Sequence, residues 1–193
     1  MAASLIERLR RETQESHGEV ERRVDILSRV RTDQSYRTLL ERFYGVYCPL
    51  EHQLGQSMLE IAHWLPDIED RMRTKLLCLD LRSLGNLCPE DLPLAPVPLL
   101  DSLPHRFGCL YVLEGSTLGG QLIAREVSSK LPYTSDLGCS FFASHGAEIG
   151  AMWRSFCRAL EAYAVANSES HDSIVQTAAA TFSVFGDWLE EKS

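Results

Sequence analysis

No run of apolar residues in this chain approaches the roughly 20 that a bilayer-spanning helix requires, so no membrane span is expected. The N-terminal stretch becomes charged at Glu7 and Arg8 and lacks the apolar core of a secretory signal, which with the reduced thiols below makes a cytoplasmic protein the expectation. The six cysteines are scattered and include no Cys-x-x-Cys pair. That is not zinc-site spacing, and without a secretory signal such cysteines read as buried, reduced thiols. An excess of positive charge is also missing, since the net charge is −8. Nucleic acid is therefore not the expected partner. No Gly-x-Gly-x-x-Gly fingerprint between a strand and a helix is present, so a bound dinucleotide is not expected either.

What is present is helical periodicity. At 193 residues, 45% apolar and 24% charged, the chain suits one soluble domain (residues 1–193) with a substantial core. Ser4 is placed to cap a first helix running to about Ser28, with Leu5, Leu9, Thr13, Ser16, Val20, Val24 and Leu27 on one face. That face is apolar at both ends and polar in the middle. Asp33 is placed to cap a second helix reaching about Trp64, kinked by Pro49. A third is expected from about Asp67 to Ser83, stopped by Gly85-Asn86. The proline-rich stretch from Cys88 to Pro104 reads as an extended strap over the surface. Three more helices follow, at about 102–130, 145–166 and 171–191, with no convincing strand. An all-α bundle is the expected fold class.

Two of these helices carry unusual residues. The helix at 102–130 contains Gly115, Gly119 and Gly120. Each interior glycine costs roughly 1 kcal/mol relative to alanine. Either another helix crosses tightly there, or a loop splits the segment into two helices, or a ligand comes close to the backbone. On the first helix His17 and Glu21 stand at i and i+4, so the carboxylate can reach imidazole Nδ1 and leave Nε2 for a metal. The bland alternative is an exposed ion pair worth a few tenths of a kcal/mol. Thr13 lies one turn earlier, and Arg10 two turns earlier, where a cation could meet the carboxylates of an acidic ligand. A flat haem, with one axial site for histidine and two propionates, would suit a space between these helices.

The spaced residues Arg10, Thr13, His17 and Glu21, taken with Tyr111-Val-Leu-Glu-Gly-Ser-Thr-Leu-Gly-Gly120, resemble the heme oxygenases, above all bacterial members linked to bacteriophytochromes. The resemblance extends from Leu9 to about Leu189. It implies an all-α fold with haem between a proximal helix and a glycine-bent distal helix. It implies His17 as the iron ligand, Glu21 as its hydrogen-bond partner, and Gly115, Ser116, Gly119 and Gly120 as the distal site. Arg10 would meet a propionate, with Arg154 or Arg158 a second cation, and Phe182 would line the cofactor. Many family members carry aspartate where Ser116 stands here, which changes how protons would be delivered. The implied reaction opens haem with O₂ and reducing equivalents to biliverdin, CO and Fe²⁺. An external reductase or ferredoxin would supply electrons, and a bacteriophytochrome would accept the biliverdin. The rival readings are a haem carrier or sensor that does not degrade its ligand, and a related all-α enzyme of the thiaminase type. The second rival would need a pocket cysteine or carboxylate cluster for which no motif is present.

Overall fold

The structure, a computed structural model, describes residues 4–85 and 88–190. Among the described residues there are nine α-helices and no strand. The long ones are α1 (Leu5–Val24), α3 (Asp33–Gly55), α5 (Thr74–Ser83), α6 (Leu103–Lys130), α8 (Ile149–Ala166) and α9 (His171–Leu189). Three short ones, α2 (Ile26–Arg29), α4 (Met58–Ala62) and α7 (Ser140–Ala143), lie in the connections.

Ser4 caps α1 as expected, in a capping box with Glu7. The helix does not continue to Ser28, because Asp25 adopts a left-handed conformation (φ 39°) and separates α1 from α2. Thr32, not Asp33, caps α3, in a reciprocal pair with Ser35. Pro49 lies inside α3 and has no N–H to offer the Gly45 carbonyl four residues back. That carbonyl accepts instead from the Ala95 backbone N–H at 2.9 Å. The proline-rich strap therefore crosses α3 where α3 has a carbonyl to spare. Gln53 holds the strap again through Pro98 O and Leu100 N (3.0 and 2.8 Å).

The expected helix from Asp67 is corrected to a 3₁₀ turn (Ile68–Arg71), an extended Met72 (ψ 120°), and α5 from Thr74. Gly85 (φ 91°) ends this region, while Asn86 and Glu191 lie outside the described residues. The expected helix from His145 begins at Ile149, after a 3₁₀ turn at Gly146–Glu148. Despite its glycines α6 is continuous, because tertiary packing overrides propensity. At Gly108 a Cβ would overlap the Ile174 carbonyl of α9, so the glycine there permits a tight helix crossing. Both α1 and α6 pack along α9, which forms the spine of the bundle. Arg29 donates to the Leu189 carbonyl at 2.6 Å and Arg23 pairs with Asp187 at 2.9 Å, binding the start of the fold to its end.

Candidate active site

Between α1 and α6, over α9, lies a cavity of about 540 Å³, a size typical of small-molecule sites (roughly 300–1,000 Å³). Its walls are mainly apolar and aromatic. Phe182 and Phe185 come from α9, Phe141 and Phe142 from α7, and Trp153 from α8. The α7 wall is four residues long, too short to hold itself together. Buried Asp80 fixes it, accepting from Ser140 N and Oγ (2.9 and 2.7 Å) and from Phe141 N (2.8 Å). Burial pushes the Asp80 carboxyl up, against the pull of these donors.

From α1, His17 projects into this space with more than half of its side chain exposed. Among the described residues it is the one histidine that lines the cavity. Its ring stands edge-on to Phe182, centroids 5.5 Å apart at 83°. Glu21 Oε2 lies 3.7 Å from Nδ1, facing it at ion-pair distance and beyond hydrogen-bond length. Arg10 reaches the margin of the cavity. Thr13, expected to face the ligand, does not line the cavity. It is buried, and its hydroxyl donates to the Leu9 carbonyl at 2.7 Å. The polar gap in the α1 face is therefore a satisfied core hydroxyl. Arg154 and Arg158 do not line the cavity either. They border a separate, more open groove beside α8, which Arg10 and Trp153 share.

The three glycines of α6 have different reasons to be glycine. A Cβ on Gly119 would meet nothing within 4 Å, and one on Gly115 would only touch the Trp153 ring at 3.8 Å. Both leave the cavity free beside the backbone. A Cβ on Gly120 would lie 2.7 Å from the Phe142 carbonyl oxygen, so this glycine admits the backbone of α7. Gly115 and Gly119 thus leave the space that a close ligand approach would need, and the tight-crossing alternative applies to Gly120.

Ser116 lines the cavity and belongs to a polar cluster that the sequence did not reveal. Its Oγ lies 2.7 Å from the Tyr47 hydroxyl of α3 and donates to the Leu113 carbonyl at 2.7 Å. Arg73 completes the cluster from the start of α5. Arg71, on the turn before it, pairs with Asp67 at 2.8 Å and with buried Glu114. Burial pushes the Glu114 carboxyl up, against the pull of Arg71 and Arg73. Arg73 stands among Asp70, Arg71, Thr74 and Lys75, where one more charge gives no signal, and its partners lie on other helices.

A mainly apolar cleft in an all-α bundle, with one imidazole on one helix and bare backbone on the other, has the shape and chemistry that a flat metal-bearing ligand needs. Comparison with known proteins agrees. The heme oxygenase family model matches residues 3–82 and 101–191. A heme oxygenase of Xanthomonas campestris is 32% identical over 133 residues, covering 66% of this chain and 72% of that protein. Heme oxygenase PigA of Pseudomonas aeruginosa is 27% identical over 187 residues, covering 95% and 90%. The structure of the NO- and CO-bound heme oxygenase from Neisseria meningitidis superposes with a TM-score of 0.83 at 22% identity, covering 97% of this chain and 91% of that one. The chain belongs to the heme oxygenase family. Among the described residues no helix is long and apolar enough to cross a membrane.

Proposed function

We propose that this protein degrades haem to biliverdin, CO and Fe²⁺, with His17 as the residue that would hold the iron. The observation that carries this reading is the pairing, across one cavity, of an exposed imidazole on α1 with open space beside Gly119 on α6. The residues fit the group. A flat macrocycle suits a cleft whose walls are mainly aromatic and aliphatic, and the glycine backbone leaves room beside it. Haem, when bound, supplies the redox iron and is itself the ring that is opened.

The protein's own part is to bind, orient and exclude water. His17 would hold the iron through Nε2, since Glu21 faces the other ring nitrogen, Nδ1, at 3.7 Å. Neutral histidine gives less electron push than a thiolate would. Arg10 at the margin offers a cation to the propionates. Phe141, Phe142 and Phe182 keep the interior dry. Ser116, with Tyr47 behind it, holds a hydroxyl proton at the α6 wall in place of a carboxylate. Electrons come from a separate reductase or ferredoxin, and a bacteriophytochrome is the proposed acceptor of the product.

The test is an absorbance record of protein and hemin in air after addition of an electron donor. Decay of the Soret band with growth of a broad red absorption is the expected result. A Soret band that persists under several donors would make the protein a haem carrier or sensor. His17→Ala is expected to abolish turnover, with recovery on adding imidazole. Full activity of that variant without imidazole would remove His17 from its role.

A further inference from the structure

Arg71 and Arg73 leave the same short segment and both end on α6, but only Arg71 has a carboxylate against its guanidinium. Arg71 has the carboxylates of Asp67 and Glu114. Among the described residues no carboxylate oxygen lies within 4.0 Å of the Arg73 guanidinium. Arg73 is nevertheless buried, at 4% exposure. Its Nη2 shares two protons among three neutral oxygens, the Leu113 carbonyl at 2.6 Å, the Tyr47 hydroxyl at 2.7 Å and Ser116 Oγ at 3.1 Å. Its plane lies over the Tyr47 and Phe141 rings, 5.0 and 5.2 Å from their centroids. The nearby carboxylate of Glu51 is engaged with the backbone N–H groups of Arg73 and Thr74, both at 2.8 Å.

These partners satisfy N–H groups but carry no opposing charge. Glu114 attracts the guanidinium through space and Glu51 stands behind it, but neither lines the cavity, so on the cavity side the cation meets only neutral oxygens and aromatic faces, and low-dielectric walls strengthen its field there. Arg73 and Ser116 both line the cavity, so the field is directed where a ligand sits. A carboxylate at position 116 would cancel it, since Ser116 Oγ already lies within ion-pair reach of Nη2.

We propose that Arg73 is the fixed positive charge of the α6 wall, and that it makes this site select small anions over neutral ligands on the α6 side of bound haem. Ser116 preserves that charge by being neutral. Tyr47 is a positioning residue that holds the guanidinium in place. The inference rests on the haem reading and deepens it.

The experiment uses the ferric hemin complex of the whole protein, titrated with azide as the anion and with imidazole as the neutral ligand, both followed at the Soret band. Azide affinity is expected to fall about tenfold or more in Arg73→Met, a change that a unit charge several ångströms away exerts at an effective dielectric of about 20. Imidazole affinity should stay within about twofold. Ser116→Asp should reproduce the azide loss with Arg73 in place, and Arg73→Lys should retain most of the affinity. Should Arg73→Met not fold, the Ser116→Asp and Arg73→Lys pair decides. Unchanged azide affinity in Ser116→Asp and in any folded Arg73→Met would overturn the proposal. So would equal losses for azide and imidazole, which would mark a purely structural role. Failure of the wild-type protein to form a Soret complex at all is a different outcome. It would overturn the haem reading and this inference with it.

Discussion

At the scale of single residues, neighbouring glycines separate ligand space from packing. Gly119→Ala adds a methyl to open space. Without hemin it is expected to melt at or slightly above the wild-type temperature, since alanine favours the helix by up to about 1 kcal/mol. Gly120→Ala drives a methyl against the Phe142 carbonyl and is expected to cost about 1–3 kcal/mol of stability. Urea melts of the hemin-free proteins check both, and the reverse order would show that α7 does not seat on Gly120. His17 and the glycine cluster were legible because their types and spacing are themselves unusual. Thr13 was misread because a hydroxyl on a helix face looks the same in sequence whether it meets a ligand or, as here, the Leu9 carbonyl. Arg73 was missed because its chemistry lies in Tyr47 and Ser116, which arrive from α3 and α6.

Among the elements, the break at Met72 explains how two arginines reach one neighbour. Residues i and i+2 of an α-helix point to different sides. The extended backbone at Met72 instead lets both Arg71 and Arg73 meet α6. The periodicity of Met72, Leu76 and Leu77 hid this break, because the apolar pattern continues through a segment whose backbone does not. The breaks at Asp25 and before α4 escaped for the same reason. The segment has a pH signature. Partial burial pulls the Asp67 carboxyl up, but pairing with Arg71 at 3.0 and 2.8 Å outweighs this and holds it below its ordinary value of 3.8. A lowered carboxyl contributes stability that is complete above the ordinary value and is lost as pH falls through the lowered one. Asp67→Asn is therefore expected to be less stable than wild type at neutral pH, with the gap closing as pH falls below 3.8. Paired thermal melts across that range check it, and a gap that persists unchanged in acid would remove the ion pair as its cause.

For the whole molecule, the cavity rim is unusually apolar. Leu27, Leu118 and Leu122 border it at 37, 48 and 58% exposure, leaving hydrocarbon in water until a ligand covers it. Ligand that binds only the folded state stabilises it by about 2.7 kcal/mol at a hundredfold excess over Kd. For a domain of this size that is a rise of about 5–10 °C in melting temperature. Calorimetry with and without hemin is expected to show it, with a smaller rise for His17→Ala; an equal rise in that variant would place the ligand elsewhere, and no rise for the wild type would mean that hemin does not bind. The rim also joins distant parts of the chain. His17 is on the first helix, and the Phe182 ring beside it is on the last. Synthesis runs from α1 to α9, so on the ribosome the proposed iron ligand emerges long before the wall it stands against. A nascent chain still lacking α9 has the ligand but no pocket. Loading must wait until α9 has emerged and packed, and a chain terminated before α9 cannot act as a sink that withholds haem from the finished enzyme.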